Sequence, residues 1–277
     1  MKPVRILTIA GSDSGGGAGI QADLKTVTVL GCFGMSVITA LTAQNTLGVH
    51  GIHDVPPAFV AAQFDAVATD IGIDAAKTGM LATSEVIRVV AGKIRQHRIE
   101  KLVVDPVMVA KGGMSLIREE AKKTLIAELV PLALVLTPNI PEAEVLSGVG
   151  ISTLSDMKEA ARIIGHLGAR HVVVKGGHLA GDATDLLYDG REFRTFSAPR
   201  IATADTHGTG CTYSAAIAAG LGGGMDVAGA VAAAKRYITE AVRRAWRVGG
   251  GHGPTNHLAP LFSSGPAREP EFWKTSG

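Results

Sequence analysis

The segment Asp205-Thr206-His207-Gly208-Thr209-Gly210-Cys211 runs from a glycine-rich turn into a stretch of small residues that reads as a helix. At a helix start the first backbone N–H groups lack partners within the helix, and the helix dipole adds partial positive charge behind them. The N–H groups of Gly208, Thr209 and Gly210 can therefore meet at one anion, which suits the charge of a phosphoryl group in transfer. Cys211 opens the same helix, a position that lowers a thiol pKa from about 8.5, so a thiolate there can take a proton from an alcohol. The competing reading of Cys211 is a buried structural cysteine. His207 reads as a structural or capping residue of the turn.

A second cluster, Gly11 to Gly19, holds five glycines in nine residues, follows an apolar run and opens another helical pattern. Its N–H groups can cradle an anion or a polar ring. It lacks the Gly-Lys-Ser/Thr of a Walker A loop and the G-x-G-x-x-G of a dinucleotide fingerprint, so neither of those nucleotide modes applies. Asp105 and Lys175 each end an apolar run, and a lysine at such a place is either a point charge for phosphates or simply solvated. Asn139-x-x-Glu142 offers an amide and a carboxylate oxygen that suit Mg²⁺. It also reads as a helix start with Pro141 at the first position, and the two readings are compatible.

These residues need a scaffold that brings scattered loops to one edge. Short apolar runs recur at Arg5 to Ala10, Met35 to Thr42, Leu102 to Val104, Leu134 to Leu136 and His171 to Val174, most ending in polar or glycine-rich residues. Continuous apolar runs suit strands buried on both faces of a parallel sheet, with helices covering them. Gly19 to Leu30 has helical spacing. Thr153 with Asp156 reads as a cap for a helix whose buried face is Met157, Ala160, Ala161, Ile164 and Leu167, ended by Gly168. Asp226 caps a long stripe from Val227 to Ala245, and Asp189-Gly190 marks a hairpin between Ala183 to Tyr188 and Glu192 to Ser197. In such open sheets ligands bind outside the carboxyl ends of the strands, where the polar residues fall here.

Composition narrows the partners. Of 277 residues, 27 are Lys or Arg and 25 Asp or Glu, so a net charge of +2 provides no basic field for nucleic acid, and 4% aromatics provides no stacking platform. Two cysteines cannot build a disulfide framework, and a reducing cytoplasm is expected. The longest small-apolar stretch, Thr212 to Ala234, is broken by Gly220, Gly222 to Gly224 and Asp226, so it is not expected to cross a membrane. One domain over residues 1–260 and an irregular tail over 261–277 are expected.

D-T-x-G-x-G before a small-residue helix resembles the phosphoryl-transfer signature of the ribokinase superfamily. Cysteine at 211, where most of that superfamily carries aspartate, together with Gly11 to Asp23, is similar to the hydroxymethylpyrimidine/phosphomethylpyrimidine kinases of thiamine biosynthesis. Ala40 to Asn45, Lys77 to Met80, Val104 to Met108, Asn139 to Glu142, Lys175 to His178 and Gly253 to His257 extend the resemblance from about residue 5 to 257. It implies a three-layer α/β/α sandwich with a mainly parallel sheet and no separate lid domain, and a homodimer. It further implies ATP- and Mg²⁺-dependent phosphorylation of 4-amino-5-hydroxymethyl-2-methylpyrimidine, then of its monophosphate. By the same resemblance Gln44 binds the pyrimidine, and an amide can indeed accept from the 4-amino group while donating to the ring nitrogen. Gly11, Asp23, Met80 and Val107 line that pocket; Lys175, Asp105 and Thr209 take the nucleotide; Asn139 and Glu142 hold Mg²⁺ through water; Cys211, Gly208 and Gly210 serve the transfer. A pyridoxal or pyridoxine kinase of the same branch and a catalytically idle pyrimidine binder are the alternatives.

Overall fold

The computed structural model describes residues 2–109, 113–114, 116–177 and 181–261. The chain begins β1 (Arg5–Asp13), α1 (Gly19–Val29), β2 (Phe33–Asn45), β3 (Gly48–Asp54), α2 (Pro57–Asp70), β4 (Ala75–Thr78), α3 (Ser84–Gln96) and β5 (Leu102–Val104). It continues α4 (Glu119–Thr124), β6 (Val135–Leu136), α5 (Ile140–Ser147), α6 (Leu154–His166), β7 (His171–Val174), β8 (Ala183–Tyr188), β9 (Phe193–Ala198), α7 (Thr209–Gly222) and α8 (Val227–Arg243). The strands form one sheet in the order β3-β2-β1-β4-β5-β6-β7-β8-β9. Its middle, β2 to β7 in that order, is parallel. Antiparallel β3 closes one end, and the β8–β9 hairpin closes the other.

The run of apolar residues in each central strand has a direct cause. Successive side chains point to opposite faces, and both faces carry a core. Leu7, Ile9, Ala76, Leu102, Val104, Leu136, Val172 and Val174 pack with α2, α3, α5 and α6 on one side. Ile6, Ala75, Val103, Val135 and Val173 pack with α7 and α8 on the other. The mainly parallel three-layer α/β/α architecture expected from the sequence is the one observed. Between Gly11 and Gln44 the chain forms only α1 and β2 after β1.

Three elements next to the site are absent from the sequence reading. β3 carries no strong alternation. β4 reads Ala-Ala-Lys-Thr, without the branched residues that favour strands and with a lysine that composition assigns to the surface. α2 has apolar residues on several faces, so its period is blurred. Of the expected tail only Leu261 is described; 262–277 lie outside the described residues.

Candidate functional site

The carboxyl ends of the parallel strands bring the chemistry together. Gly208 is the N-cap of α7, with φ +77, a left-handed conformation that favours glycine. A Cβ there would also overlap the Gly17 carbonyl oxygen, so the two glycine loops touch at this point. Among the described residues the N–H groups of Gly210 and Cys211 have no hydrogen-bond acceptor. A Cβ built on Gly210 would lie 3.4 Å from Lys175 Nζ and 3.6 Å from Asp105 Oδ2, so the first turn of α7 faces that pair. Thr209 departs from the sequence reading. Its N–H and hydroxyl both donate to the Thr206 carbonyl, at 3.3 and 2.7 Å, so they tighten the turn and leave the anion to its neighbours.

Asp105 follows β5, and Lys175 follows β7. Lys175 Nζ donates to Asp105 Oδ1 at 2.8 Å, and the hydroxyls of Thr137 and Ser214 complete the Asp105 shell at 3.2 Å each. Burial would push the Asp105 carboxyl up, but Lys175 and Lys77 hold it below the usual carboxylate range. Asn139 and Glu142 form a reciprocal cap on α5: Glu142 N–H donates to Asn139 Oδ1 at 2.9 Å, and Asn139 N–H donates to Glu142 Oε2 at 2.8 Å. Pro141 consequently falls at the second helical position, one later than the sequence suggests. The Glu142 carboxyl is pushed up to about 7, first by burial and then by the Asp105 charge, against the pull of Lys175.

No group of three His, Cys, Asp or Glu side chains among the described residues forms a metal cage. Mg²⁺ does not need one: it is commonly held by one or two carboxylates together with waters and substrate phosphates. Of the expected pair, Asn139 Oδ1 and Glu142 Oε2 each accept a backbone N–H in the α5 cap, and the Glu142 carboxyl lies in the field of Asp105 and Lys175, so oxygens of the type such an ion takes are grouped here.

The raised Glu142 carboxyl makes a stability prediction with a definite sign. Its folded value lies above its unfolded one of 4.5, so the native state binds the extra proton between them. Stability from this group is therefore fully present at low pH and is lost as pH rises towards 7. In metal-free buffer Glu142→Gln, whose amide oxygen can still accept from Asn139 N–H, should gain up to about 3 kcal/mol over the parent between pH 4.5 and 8. Denaturant midpoints of both proteins across that range test it, and parallel curves would refute it. His257, pushed down to about 4 by burial, favours stability above about pH 6.5 and loses it on acidification, but it contributes equally to both proteins and cancels in the difference.

Cys211 is half-buried at the start of α7. Its thiol is pushed up to about 11, by burial first and then by the charges of Asp23 and Asp105; Lys77 and the Gly19 N–H oppose this. The sequence reading of a helix-lowered thiol is corrected: desolvation outweighs the helix end here. Behind it Lys77 is wholly buried, with Nζ 3.0 and 2.9 Å from the two Asp23 oxygens. Thr8 donates to Asp23 at 2.5 Å. Asp23 is thus 1% exposed and satisfied by protein partners, in the wall behind the expected pyrimidine pocket. Burial pushes its carboxyl up, yet both oxygens contact one ammonium, which fits a charged pair. Lys77 is a site residue that residue-by-residue reading missed, although it heads the Lys77-to-Met80 motif.

Gly11 and Met80 are neighbours: a Cβ on Gly11 would lie 3.1 Å from Met80 Sδ. Val107 stands half-buried two residues beyond Asp105 at the adjoining strand end. The Gly11–Gly19 loop differs from its sequence reading. Its N–H groups at Gly15, Gly17 and Ala18 donate to the Asp13 carboxylate at 2.8, 3.1 and 2.8 Å, so they are spent inside the loop instead of cradling a ligand. His207 Nε2 adds a fourth contact to Asp13 at 2.9 Å and lies 3.4 Å from the Gln44 amide, in the structural place its sequence suggested. Ser14 pairs with the Gln44 backbone in both directions, at 2.7 and 2.8 Å, and so ties the loop to the end of β2. His178 lies outside the described residues. His257 Nε2 sits 3.0 Å from the Thr212 hydroxyl, bracing α7.

Residues 13–256 match the family model described as phosphomethylpyrimidine kinase. The chain is 59% identical over 254 residues to the thiamine biosynthesis bifunctional protein ThiED of Geobacter sulfurreducens, covering 91% of this chain and 52% of that protein. It thus spans about half the length of that relative. It is 51% identical to the hydroxymethylpyrimidine/phosphomethylpyrimidine kinase of Bacillus subtilis, over 94% of this chain and 96% of that one. Among solved structures, an ADP complex of Bacillus subtilis pyridoxal kinase aligns with a TM-score of 0.89 at 41% identity, over 94% of this chain and all of that one.

Proposed function

The chain belongs to the phosphomethylpyrimidine kinase family, and from that membership we propose that it phosphorylates 4-amino-5-hydroxymethyl-2-methylpyrimidine and then its monophosphate, using ATP. The observation that carries this reading is the meeting of Lys175, Asp105 and the first turn of α7, with free N–H groups at Gly210 and Cys211. A transferring phosphoryl group spreads negative charge over its oxygens, and catalysis is mostly placement and charge stabilisation. Fixed N–H donors at a helix end and the Lys175 ammonium supply both without reorganising. The ADP complex of the similar pyridoxal kinase supports a nucleotide ligand for this scaffold.

In the first reaction the substrate hydroxyl oxygen bonds to the γ-phosphorus, the bond to the β-phosphate oxygen breaks, and ADP leaves. Lys175 and the α7 N–H groups hold the phosphoryl oxygens. Gln44, from the end of β2, orients the ring, with Gly11 and Met80 beneath it. Cys211 accepts the hydroxyl proton in its thiolate form. Asn139 and Glu142, with Asp105 beside them, would hold Mg²⁺ through water, and the ion would supply charge neutralisation. A single domain over 1–260, a homodimer and a cytoplasmic location complete the proposal; no helix of the described residues is long and apolar enough to cross a membrane.

A thiol pushed up to about 11 is mostly protonated at neutral pH, which limits its share of the catalysis. In the second reaction the nucleophile is already a phosphate anion and has no alcohol proton to lose. Cys211→Ala should therefore lower kcat about 10²-fold for the hydroxymethyl step and less than about tenfold for the phosphate step. Equal losses in the two steps would remove the base role.

The activity itself is tested by product analysis after incubation with ATP, Mg²⁺ and either hydroxymethylpyrimidine or pyridoxine. Mono- and diphosphates of the pyrimidine are expected. The similarity to pyridoxal kinase gives the second reading: phosphorylated pyridoxine with untouched pyrimidine would make the chain a B6 kinase and give Gln44 another role.

A further inference from the structure

The Gln44 amide is enclosed by groups that leave it one orientation. Asp13 is a carboxylate: it takes hydrogen bonds from three backbone N–H groups of its own loop. The ring nitrogen His207 Nε2, 2.9 Å from Asp13 Oδ2, must therefore carry a proton, because an unprotonated nitrogen would face a carboxylate oxygen lone pair to lone pair. That same protonated nitrogen lies 3.4 Å from the Gln44 amide, on the side of Nε2. On the other side, the Thr42 hydroxyl lies 2.8 Å from the Ser12 carbonyl oxygen and 3.1 Å from Gln44 Oε1. It has one proton, and the shorter contact takes it. What Thr42 can then offer Gln44 is a lone pair.

Half a turn of the amide about its last bond exchanges oxygen and nitrogen without moving another atom. Turned over, its NH₂ donates to Thr42, and an oxygen instead of an NH₂ faces the His207 nitrogen, whose single proton is taken by Asp13 and which has no lone pair to offer an N–H. The Thr42 contact becomes a hydrogen bond, and the N–H against N–H conflict at His207 is relieved. The oxygen lone pairs and one N–H then remain free, in a fixed order.

We propose that the Asp13–His207 pair and Thr42 lock the Gln44 amide in this orientation, and that this lock selects a ring bearing an amino donor beside an unprotonated nitrogen over its 4-oxo counterpart. The inference rests on the reading that Gln44 binds the pyrimidine. A 4-aminopyrimidine presents a donor at position 4 and an acceptor at N3. The 4-oxo ring presents an acceptor at position 4 and N3–H as donor, the reverse order, and would require the amide to flip against both His207 and Thr42. A hydrogen-bonding site rejects a mismatched partner strongly because its own polar groups are left unpaired. His207 and Thr42 are positioning residues in this account, acting on the ring through Gln44.

The test compares kcat/KM for 4-amino-5-hydroxymethyl-2-methylpyrimidine with that for its 4-oxo analogue in the full chain and four variants. Gln44→Leu reports whether the amide reads the ring at all. Thr42→Val removes one side of the lock and His207→Phe the other; His207→Gln returns a donor towards Asp13 and Gln44. The parent should prefer the amino ring. Thr42→Val and His207→Phe should each lower that preference by at least about tenfold, chiefly through KM, and His207→Gln should restore most of it. A general loosening of the fold would lower both activities together and leave the ratio unchanged. Should His207→Phe fail to fold, Thr42→Val alone decides. If Gln44→Leu abolishes the preference while Thr42→Val and His207→Phe retain it, the lock is overturned and the ring-binding role stands. If Gln44→Leu retains the preference, both are overturned.

Discussion

Gly208→Ala should reduce kcat by about 10²- to 10³-fold, the range seen when a single donor of an anion hole is lost. Two independent constraints act at this position. The residue is held at φ +77, where a Cβ costs about 1–2 kcal/mol. That Cβ would also overlap the carbonyl oxygen of Gly17, which is backbone and cannot swing aside as a side chain could. Relief requires α7 to move away from the Gly11–Gly19 loop, and with it the N–H groups of Gly210 and Cys211. Those donors work only at hydrogen-bond distance from the phosphoryl oxygens, so a shift of an ångström matters far more for kcat than for stability. Gly223→Ala is the matched control. It lies at the other end of the same helix with φ −72, a conformation any residue adopts, and should keep nearly parental kcat. Steady-state kinetics with ATP in excess, alongside thermal unfolding of both variants, decide the matter. A Gly208→Ala enzyme with near-parental kcat would show that the start of α7 does not hold the transferred group.

The two glycine loops also show what the sequence could and could not reveal. Glycine spacing before a small-residue helix points to spare N–H groups at Gly208, Thr209 and Gly210; Gly210 keeps its own, Thr209 spends its own on Thr206, and Cys211 adds one that the spacing does not single out. The same logic applied to Gly11–Gly19 misassigned the N–H groups, because the nearest anion turned out to be Asp13 of the loop itself. Local composition tells how many donors a loop has; which acceptor takes them depends on a carboxylate whose direction only the fold sets. Strand ends were legible for a similar reason. Leu102 to Val104 and Val172 to Val174 are apolar throughout because two cores share them, and the first polar residue beyond each, Asp105 or Lys175, is where the sheet reaches its carboxyl edge. The cap at Thr153 and Asp156 and the hairpin at Asp189-Gly190 depend on near neighbours, so they too could be read directly. Cys211 was half-legible. Its place at a helix start follows from the chain, but the thiol responds to burial and to Asp23 and Asp105, which lie far away in sequence.

Lys77 is the extreme case, and it carries the largest expected effect on stability. A lysine between Ala76 and Thr78 reads as a surface residue, yet it is wholly buried in β4 with its charge met by Asp23 of α1. Removing one partner of a buried pair leaves the other uncompensated, which costs about 3–5 kcal/mol, whereas removing both charges is often close to neutral. Lys77→Met should therefore lower stability by about 3–5 kcal/mol, while Lys77→Met with Asp23→Asn should recover most of it. The amide oxygen introduced by Asp23→Asn would still accept from the Thr8 hydroxyl. The pH dependence distinguishes lost charge balance from lost packing. In the single variant Asp23 is buried without a counter-charge, so its folded pKa rises above the unfolded value, and the penalty is present at neutral pH and relieved on acidification. The double variant has no carboxylate there and should lack that acid rescue. Urea unfolding of parent, both singles and the double at pH 5 and 8 gives the whole cycle. A single Lys77→Met costing less than about 1 kcal/mol at pH 8 would mean that water reaches Asp23, and the wall behind Cys211 would then be wetter than a 1% exposed carboxylate allows.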